Sequence, residues 1–140
     1  MLVLDANILI RAVLGKRVRT LLERYAATVR FFAPDVAFAD AQEHLPLILS
    51  KRGIDAAAGL AVLEALSAIV ACVEADLYEP LELIARRRMR SRDEEDWPIL
   101  AAALALDCPI WTEDADFFGV GIATWTTDRV ELFLAEVAGS

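Results

Sequence analysis

Acidic side chains near the ends of predicted strands and helices are the residues best suited to chemistry in this chain. They are Asp5, Glu43, Asp93, Asp96, Asp114 and Asp116. Asp5 directly follows a short apolar run, and Asn7 lies two places further on. An acid at the carboxyl end of a buried strand lies where α/β domains place their sites. Because the chain has 1 histidine, converging carboxylates predict an oxygen-ligand site for magnesium or manganese.

Each of these acids also has an ordinary structural role open to it. Asp5 can cap the next helix by accepting a hydrogen bond from a free N–H group. Asp96 lies at a predicted helix start, where the helix dipole favours a carboxylate. Turns favour aspartate at positions such as Asp114 and Asp116, and Glu43 occupies a mid-helix position typical of solvated residues. The residue types alone leave the structural and functional readings open.

Strands alternate with helices along the whole chain. Predicted strands cover residues 1–5, 29–33, 69–74, 109–112 and 122–126. Predicted helices cover residues 8–14, 18–27, 35–51 and 55–67, then run from 77 into an arginine cluster, from 96 through an alanine-rich run, and from 128 to 137. The alternation predicts an α/β fold, a three-layer α/β/α sandwich with a central, mainly parallel sheet of about five strands. We expect residues 1–140 to form a single domain.

The composition limits the partners and the location of the protein. A net charge of −8 opposes general attraction to nucleic acid, so nucleic-acid binding would need a local basic patch. Cys72 and Cys108 lie in apolar surroundings without zinc-site spacing, so we expect buried thiols in a reducing compartment. The start lacks signal-peptide features, and no apolar run reaches ~18 residues. These features predict a cytoplasmic protein with no membrane segment.

Four segments together resemble PIN-domain ribonucleases of the VapC-like toxin type. They are Leu4-Asp5-Ala6-Asn7-Ile8-Leu9, Asp40-Ala41-Gln42-Glu43-His44-Leu45, Asp96-Trp97-Pro98-Ile99-Leu100-Ala101-Ala102-Ala103 and Trp111-Thr112-Glu113-Asp114-Ala115-Asp116-Phe117. The resemblance covers essentially the whole chain, and the last segment is the most specific. Many relatives carry threonine or serine directly after the first aspartate, where this chain has Ala6.

The resemblance implies a PIN-like nuclease domain that cleaves RNA with Mg²⁺ or Mn²⁺ and leaves 5′-phosphate and 3′-hydroxyl ends. The catalytic and metal-binding residues that it implies are Asp5, Glu43, Asp96 and Asp114, with Asp116 as a further metal-binding acid. Thr112 would orient Asp5 or a ligand water, and Asn7 would support the same pocket. The resemblance also implies an antitoxin protein as a partner and a homodimer as the assembly.

Five arginines form the local basic patch that RNA binding would need. They are Arg86, Arg87, Arg88, Arg90 and Arg92. We predict that they contact RNA phosphates and position a strand over the acids. The same cations could instead balance a helix C-terminus and the acidic run 93–96, and the two roles can coexist.

Two other functions are open alternatives to a metal-dependent endoribonuclease. A catalytically weak RNA-binding or regulatory PIN domain gains slight support from Ala6. A phosphohydrolase of the haloacid-dehalogenase-like or receiver-like type also opens with a strand and an aspartate. However, Asp5-Ala6-Asn7 lacks an Asp-x-Asp pair, and no strand-end lysine follows Thr112. The endoribonuclease is therefore the leading hypothesis.

Overall fold

The five strands form one sheet in which every neighbouring pair is parallel. In the computed structural model, which describes residues 1–139, they are β1 (Leu2–Leu4), β2 (Phe31–Pro34), β3 (Val70–Val73), β4 (Ile110–Trp111) and β5 (Thr124–Trp125). Their order in the sheet is β3-β2-β1-β4-β5. The chain therefore builds the sheet outward from β1 on one side and later continues on the other side with β4. A reversal of this kind opens a crevice at the carboxyl ends of the two central strands.

Strand β1 occupies the centre of the sheet. Val3 pairs with Phe32 of β2 and with Ile110 of β4. Leu2, Val3 and Leu4 are fully buried, as expected of a parallel strand covered by helices on both faces. This central position brings the residue after Leu4 to the carboxyl edge of the sheet.

Helices cover both faces of the sheet. They are α1 (Ala6–Leu14), α2 (Arg17–Tyr25), α3 (Asp35–Lys51), α4 (Ala56–Leu66), α5 (Ala75–Tyr78), α6 (Glu82–Arg88), α7 (Trp97–Leu106) and α8 (Val130–Ala138). Helix α1 packs against α3 and α4, whereas α7 packs against β1, β2, α5 and α6. The alanine-rich α7 is buried from Pro98 to Ala103, because its small side chains let the sheet and the outer helices approach closely. The predicted α/β/α sandwich is confirmed.

Two sequence expectations differ from the structure. The helix predicted from residue 77 is divided into α5, a 3₁₀ turn at Glu79–Leu81 and α6, since Pro80 has no N–H to continue the helical hydrogen bonds. Cys108 is buried, but Cys72 is exposed on the edge strand β3, so the prediction for Cys72 was wrong. Within residues 1–139, no helix is both long and apolar enough to cross a membrane.

Candidate acidic active site

A cavity of about 620 Å³ opens at the carboxyl edge of the sheet, beside the ends of β1 and β4. We call it the acid cavity, because the carboxylates on its walls are those of Asp5, Asp40, Asp93, Glu95, Asp96 and Asp114. Asn7 lies at its rim, and Trp97, Pro98 and Phe117 supply apolar wall. The acids come from the residue after β1, from α3, from the segment just before α7 and from the segment after β4. The fold therefore gathers acids from distant parts of the sequence at one place.

Asp5 serves both as a helix cap and as part of the cavity wall. Its carboxylate is 5% exposed, and its Oδ1 accepts a hydrogen bond from the Ile8 backbone N–H at 3.0 Å. Its Oδ2 accepts a hydrogen bond from the Thr112 hydroxyl. Burial raises the pKa of the Asp5 carboxyl, and these two hydrogen bonds lower it only in part. The structural and functional readings of Asp5 are therefore compatible.

Thr112 connects two of the acids through one buried hydroxyl group. Besides donating to Asp5, this hydroxyl accepts a hydrogen bond from the Asp114 backbone N–H at 2.9 Å. The Asp114 Oδ1 in turn accepts from the Asp116 backbone N–H at 2.9 Å. The sequence prediction of a contact between Thr112 and Asp5 agrees with this geometry. Asp114 lines the acid cavity, whereas Asp116 does not.

Asp96 faces the other acids from the N-terminus of α7. It occupies the N-cap position, yet its side chain makes no capping hydrogen bond, so the carboxyl is available to the cavity. Burial, followed by the charges of Asp93 and Asp114, raises the pKa of Asp96 to about 7. A hydrogen bond to the Asp114 carboxylate also favours the protonated form of Asp96. Carboxylates this close oppose one another's ionisation unless a cation neutralises them.

Helix α3 presents Asp40 to the acid cavity, whereas Glu43, which is exposed like Asp40, lies outside it. Helix α3 begins at the carboxyl end of β2 and runs away from the cavity. Three residues advance ~4.5 Å along a helix axis, so Glu43 lies a turn further from the edge of the sheet. The structure therefore does not bring Glu43 together with Asp5, Asp96 and Asp114. Sequence reasoning missed Asp40, although it lies in the same segment and only one turn earlier.

Three arginines of the predicted RNA-binding patch make side-chain contacts with other residues of the same chain. The Arg88 Nη1 and Arg92 Nη2 groups donate to the carbonyl oxygens of Val120 and Phe118, at 3.3 and 3.1 Å. Arg86 forms an ion pair with Glu82 at 2.7 Å, and its guanidinium lies over the Trp97 ring.

The same Arg86 guanidinium reaches Glu94 and Glu95 at 3.7 and 4.0 Å, next to Asp96. Arg87 and Arg90 are exposed, and their side chains make no hydrogen bond or ion pair within residues 1–139. RNA contact by the patch stays a prediction, and the structure adds that Arg86, Arg88 and Arg92 also contact residues of their own chain. Arg88 and Arg92 contact the segment that follows Asp114. Arg86 contacts the segment that carries Asp96.

The chemistry of the donor set fits a hard divalent cation. Every charged group on the cavity wall is a carboxylate, and Mg²⁺ and Mn²⁺ prefer oxygen ligands. Across residues 1–139, no three Asp, Glu, His or Cys side chains already stand close enough to form a ready-made metal site. An ion bound here would therefore keep several of its own waters beside the carboxylates, as Mg²⁺ commonly does.

A protein-family model described as a PIN domain matches residues 3–135. The matched region contains the sheet except for Leu2, helices α1 to α7 and every acid on the cavity wall. No curated protein matches the chain.

Proposed function

Since the chain belongs to the PIN-domain family, whose members are generally nucleases, we propose that it is a metal-dependent endoribonuclease. The observation that supports this proposal best is the meeting of Asp5, Asp40, Asp96 and Asp114 at one cavity. These residues are our proposed catalytic and metal-binding acids, with Asp40 in the place first given to Glu43. RNA is the proposed substrate, and cleavage would leave a 5′-phosphate and a 3′-hydroxyl.

The proposed cofactor is Mg²⁺ or Mn²⁺, held by Asp5, Asp96 and Asp114 with Asp40 nearby. When bound, such an ion supplies an activated water and neutralises charge that develops on phosphate oxygens. Thr112 and the Ile8 N–H fix the Asp5 carboxylate, so that its orientation does not depend on the substrate. This fixed geometry reduces the reorganisation needed when RNA enters.

Other residues of the acid cavity would control what enters it. Asn7 is exposed at the rim, where its side-chain amide can donate a hydrogen bond to a phosphate oxygen. Trp97, Pro98 and Phe117 narrow the cavity with apolar surface, which excludes part of the water around the acids. Reduced hydration strengthens the interactions between the carboxylates and a cation.

We further propose that the protein is a cytoplasmic toxin of a toxin–antitoxin pair and forms a homodimer. This proposal is supported by the resemblance of the four sequence segments to PIN-domain toxins. Exposed apolar side chains on α5 and α6, among them Leu77 and Leu83 at 51% and 71% exposure, offer a surface for a partner. Co-purification with the product of the adjacent gene would test the antitoxin, and light scattering would test the dimer.

A catalytically weak RNA-binding PIN domain is the second candidate function. Two observations favour it: Ala6 provides no hydroxyl beside Asp5, and both oxygens of Asp5 already accept hydrogen bonds. An Asp5 that is held this firmly would contribute less to a cation. In this alternative the protein binds RNA but does not cleave it under any metal condition.

One assay separates the two candidates. Labelled single-stranded RNA is incubated with purified protein in Mn²⁺ or in EDTA, and the 5′ ends of the products are identified. The endoribonuclease requires cleavage in Mn²⁺ only, with a loss on the order of 100-fold for Asp5→Asn and Asp96→Asn. Cleavage that is unchanged in both variants would come from a contaminating nuclease.

A matched pair of variants tests the acid from α3. Asp40→Asn removes a charge from the cavity wall, whereas Glu43→Gln removes one from an exposed position a turn further along. We expect Asp40→Asn to reduce the cleavage rate on the order of 100-fold and Glu43→Gln to change it by less than about twofold. The opposite pattern would restore Glu43 as the site residue.

A further inference from the structure

A second cavity, of about 550 Å³, lies between the end of α1, the start of α2, the end of α3 and the segment that follows β5. We call it the basic groove, because its charged walls are formed by Arg11, Lys16, Arg17 and Arg52 together with a single acid, Asp128. The groove therefore concentrates positive charge in a chain whose net charge is −8. A local basic surface of this kind attracts polyanions even when the whole protein is acidic.

The cations of the basic groove are largely free to bind a ligand. Arg11, Lys16 and Arg52 are exposed, and their side chains make no hydrogen bond or ion pair with other residues in 1–139. Arg17 forms an ion pair with Glu131 at 3.6 Å and keeps 57% of its side chain exposed. In contrast, Arg86, Arg88 and Arg92 are engaged with their own protein. The groove thus has the more available positive charge.

The basic groove adjoins the acid cavity along helix α1. Asn7 lines the acid cavity and Arg11 lines the basic groove. Both side chains are exposed, and residues four apart lie on the same face of a helix, ~6 Å apart along its axis. A strand that leaves the acid cavity past Asn7 would therefore reach Arg11 next.

A second connection between the basic groove and the acid cavity runs through the segments that follow β4 and β5. Thr127 lines the groove, and its backbone N–H donates to the Glu113 carboxylate at 2.7 Å. Its hydroxyl accepts a hydrogen bond from the Trp111 indole N–H at 3.1 Å. Glu113 lies between Thr112 and Asp114, so the segment after β5 is tied directly to the segment that carries a cavity acid. The distance between the groove and the acids is therefore set by a rigid part of the molecule.

From this arrangement we propose that the basic groove binds the phosphates of the RNA strand beside the scissile bond. This proposal rests on the proposed ribonuclease function. The acid cavity repels a phosphate chain, so the strand needs a compensating attraction close to it. Arginine and lysine side chains supply that attraction through phosphate contacts that do not depend on base sequence. RNA is thus held along α1, with its cleaved phosphate at the acids.

The test compares two double variants that each lose one arginine and one lysine. Arg11→Ala with Lys16→Ala removes two groove cations, whereas Arg30→Ala with Lys51→Ala removes two exposed cations outside the groove. Both are made in the Asp96→Asn background with Mg²⁺, so that the RNA is not consumed. Binding of a fluorescent single-stranded RNA is followed by anisotropy over a range of salt concentrations, and thermal unfolding verifies that each variant folds.

The groove variant is expected to lower the magnitude of the slope of log K against log salt by about 1.4, since each phosphate contact on a single strand contributes about 0.7. The same relation gives a loss of affinity of about 25-fold near 0.1 M salt. The matched control should keep both the slope and the affinity. Equal losses in the two variants, unchanged binding in the groove variant, or no RNA binding by the parent protein would each overturn the proposal. Polyglutamate that competes as well as RNA would point to an acidic protein as the ligand and also overturn it.

Cleavage measurements separate this proposal from the proposed function. In the otherwise unaltered protein, Arg11→Ala with Lys16→Ala should raise the KM for a long RNA about 25-fold and leave kcat and dinucleotide cleavage unchanged. If the parent protein cleaves RNA and the variant has the same KM, the groove assignment fails while the nuclease stands. If the parent binds RNA through the groove but never cleaves it, the nuclease fails while the groove stands.

Discussion

Replacing Thr112 by valine isolates the hydroxyl group that connects two acids of the site. Valine keeps the branched shape of threonine but cannot donate to Asp5 or accept from the Asp114 N–H. The position is fully buried, so water cannot replace these two hydrogen bonds. Breaking a buried hydrogen bond to a charged group and leaving an N–H without a partner should lower the free energy of unfolding by about 3 kcal/mol. For a chain of this size, the melting temperature should fall by about 10 °C.

The size of this loss should depend on pH. The pKa of Asp5 is raised in the folded protein, so the stability that this group contributes is fully present below its unfolded pKa and is lost as pH rises through the folded pKa. Valine removes a donor that favours the ionised form, and it therefore raises the folded pKa further. Where Asp5 is ionised, the variant must bury a carboxylate with one donor fewer, whereas this cost is absent where the carboxyl is protonated in both proteins, so the comparison runs from about pH 4 to about pH 8. We expect a smaller difference in stability at the lower pH.

Chemical unfolding of the parent protein, Thr112→Val and Thr112→Ser across this pH range provides the measurement. Serine retains the hydroxyl, so most of the stability should return. Thr28→Val serves as the matched control, because Thr28 is exposed and its hydroxyl makes only a 3.4 Å contact with the Tyr25 carbonyl. A Thr112→Val protein that is as stable as the parent at about pH 8, or that loses more stability in acid, would refute the reasoning.

Three further changes test the charge balance of the acid cavity. Asp96→Asn removes a carboxyl whose pKa is about 7. In urea unfolding without metal, the variant should be more stable than the parent by about 2 kcal/mol at about pH 8 and equally stable near pH 4. The value at about pH 8 is half of the full linkage value, because the group is partly exposed. Mn²⁺ at about 100 times its Kd should raise the free energy of unfolding by about 2.7 kcal/mol, and a thermal-shift assay should show no such rise for Asp96→Asn. Arg86→Ala removes the ion pairs to Glu94 and Glu95 beside Asp96, so the kcat for RNA cleavage should fall about tenfold with little change in KM. Arg86→Lys should restore part of the lost kcat.

The predicted acids that line the acid cavity share one property. Asp5, Asp96 and Asp114 each follow a strand or precede a helix, and element ends were visible as apolar runs bounded by polar residues. In a parallel sheet, the carboxyl ends of strands meet at one edge, so their meeting could be predicted. Asp40 and Glu43 lie inside one helix, on neighbouring parts of its surface. Which of the two lines the cavity depends on the position along the helix axis at which the helix meets the cavity. Helix periodicity indicates the face of a helix but not this position.

The arginine patch shows a second limit of sequence reasoning. Arg88 binds the carbonyl of Val120, and Arg92 binds that of Phe118. Such contacts join segments that the sequence separates by a whole helix and a strand. A run of arginines at a helix end is typical both of a phosphate-binding surface and of an internal brace. The contacts with the loop after Asp114 show the internal brace, whereas RNA contact by the same side chains stays a prediction.

The charge distribution around the acid cavity provides the strongest physical reason for a cationic ligand. Among the residues that line it, none is a lysine or an arginine. Thr112 and the Ile8 N–H supply donors to Asp5 but no net charge. Arg86 pairs with Glu82 and Glu94 and reaches the wall acid Glu95 only at 4.0 Å, so within residues 1–139 it leaves Asp5, Asp96 and Asp114 without an ion pair. The acids that line the cavity can therefore all be ionised together only if a bound partner supplies positive charge. A divalent ion bound there would meet that need during catalysis, whereas a basic side chain of an antitoxin in the same place would block the site.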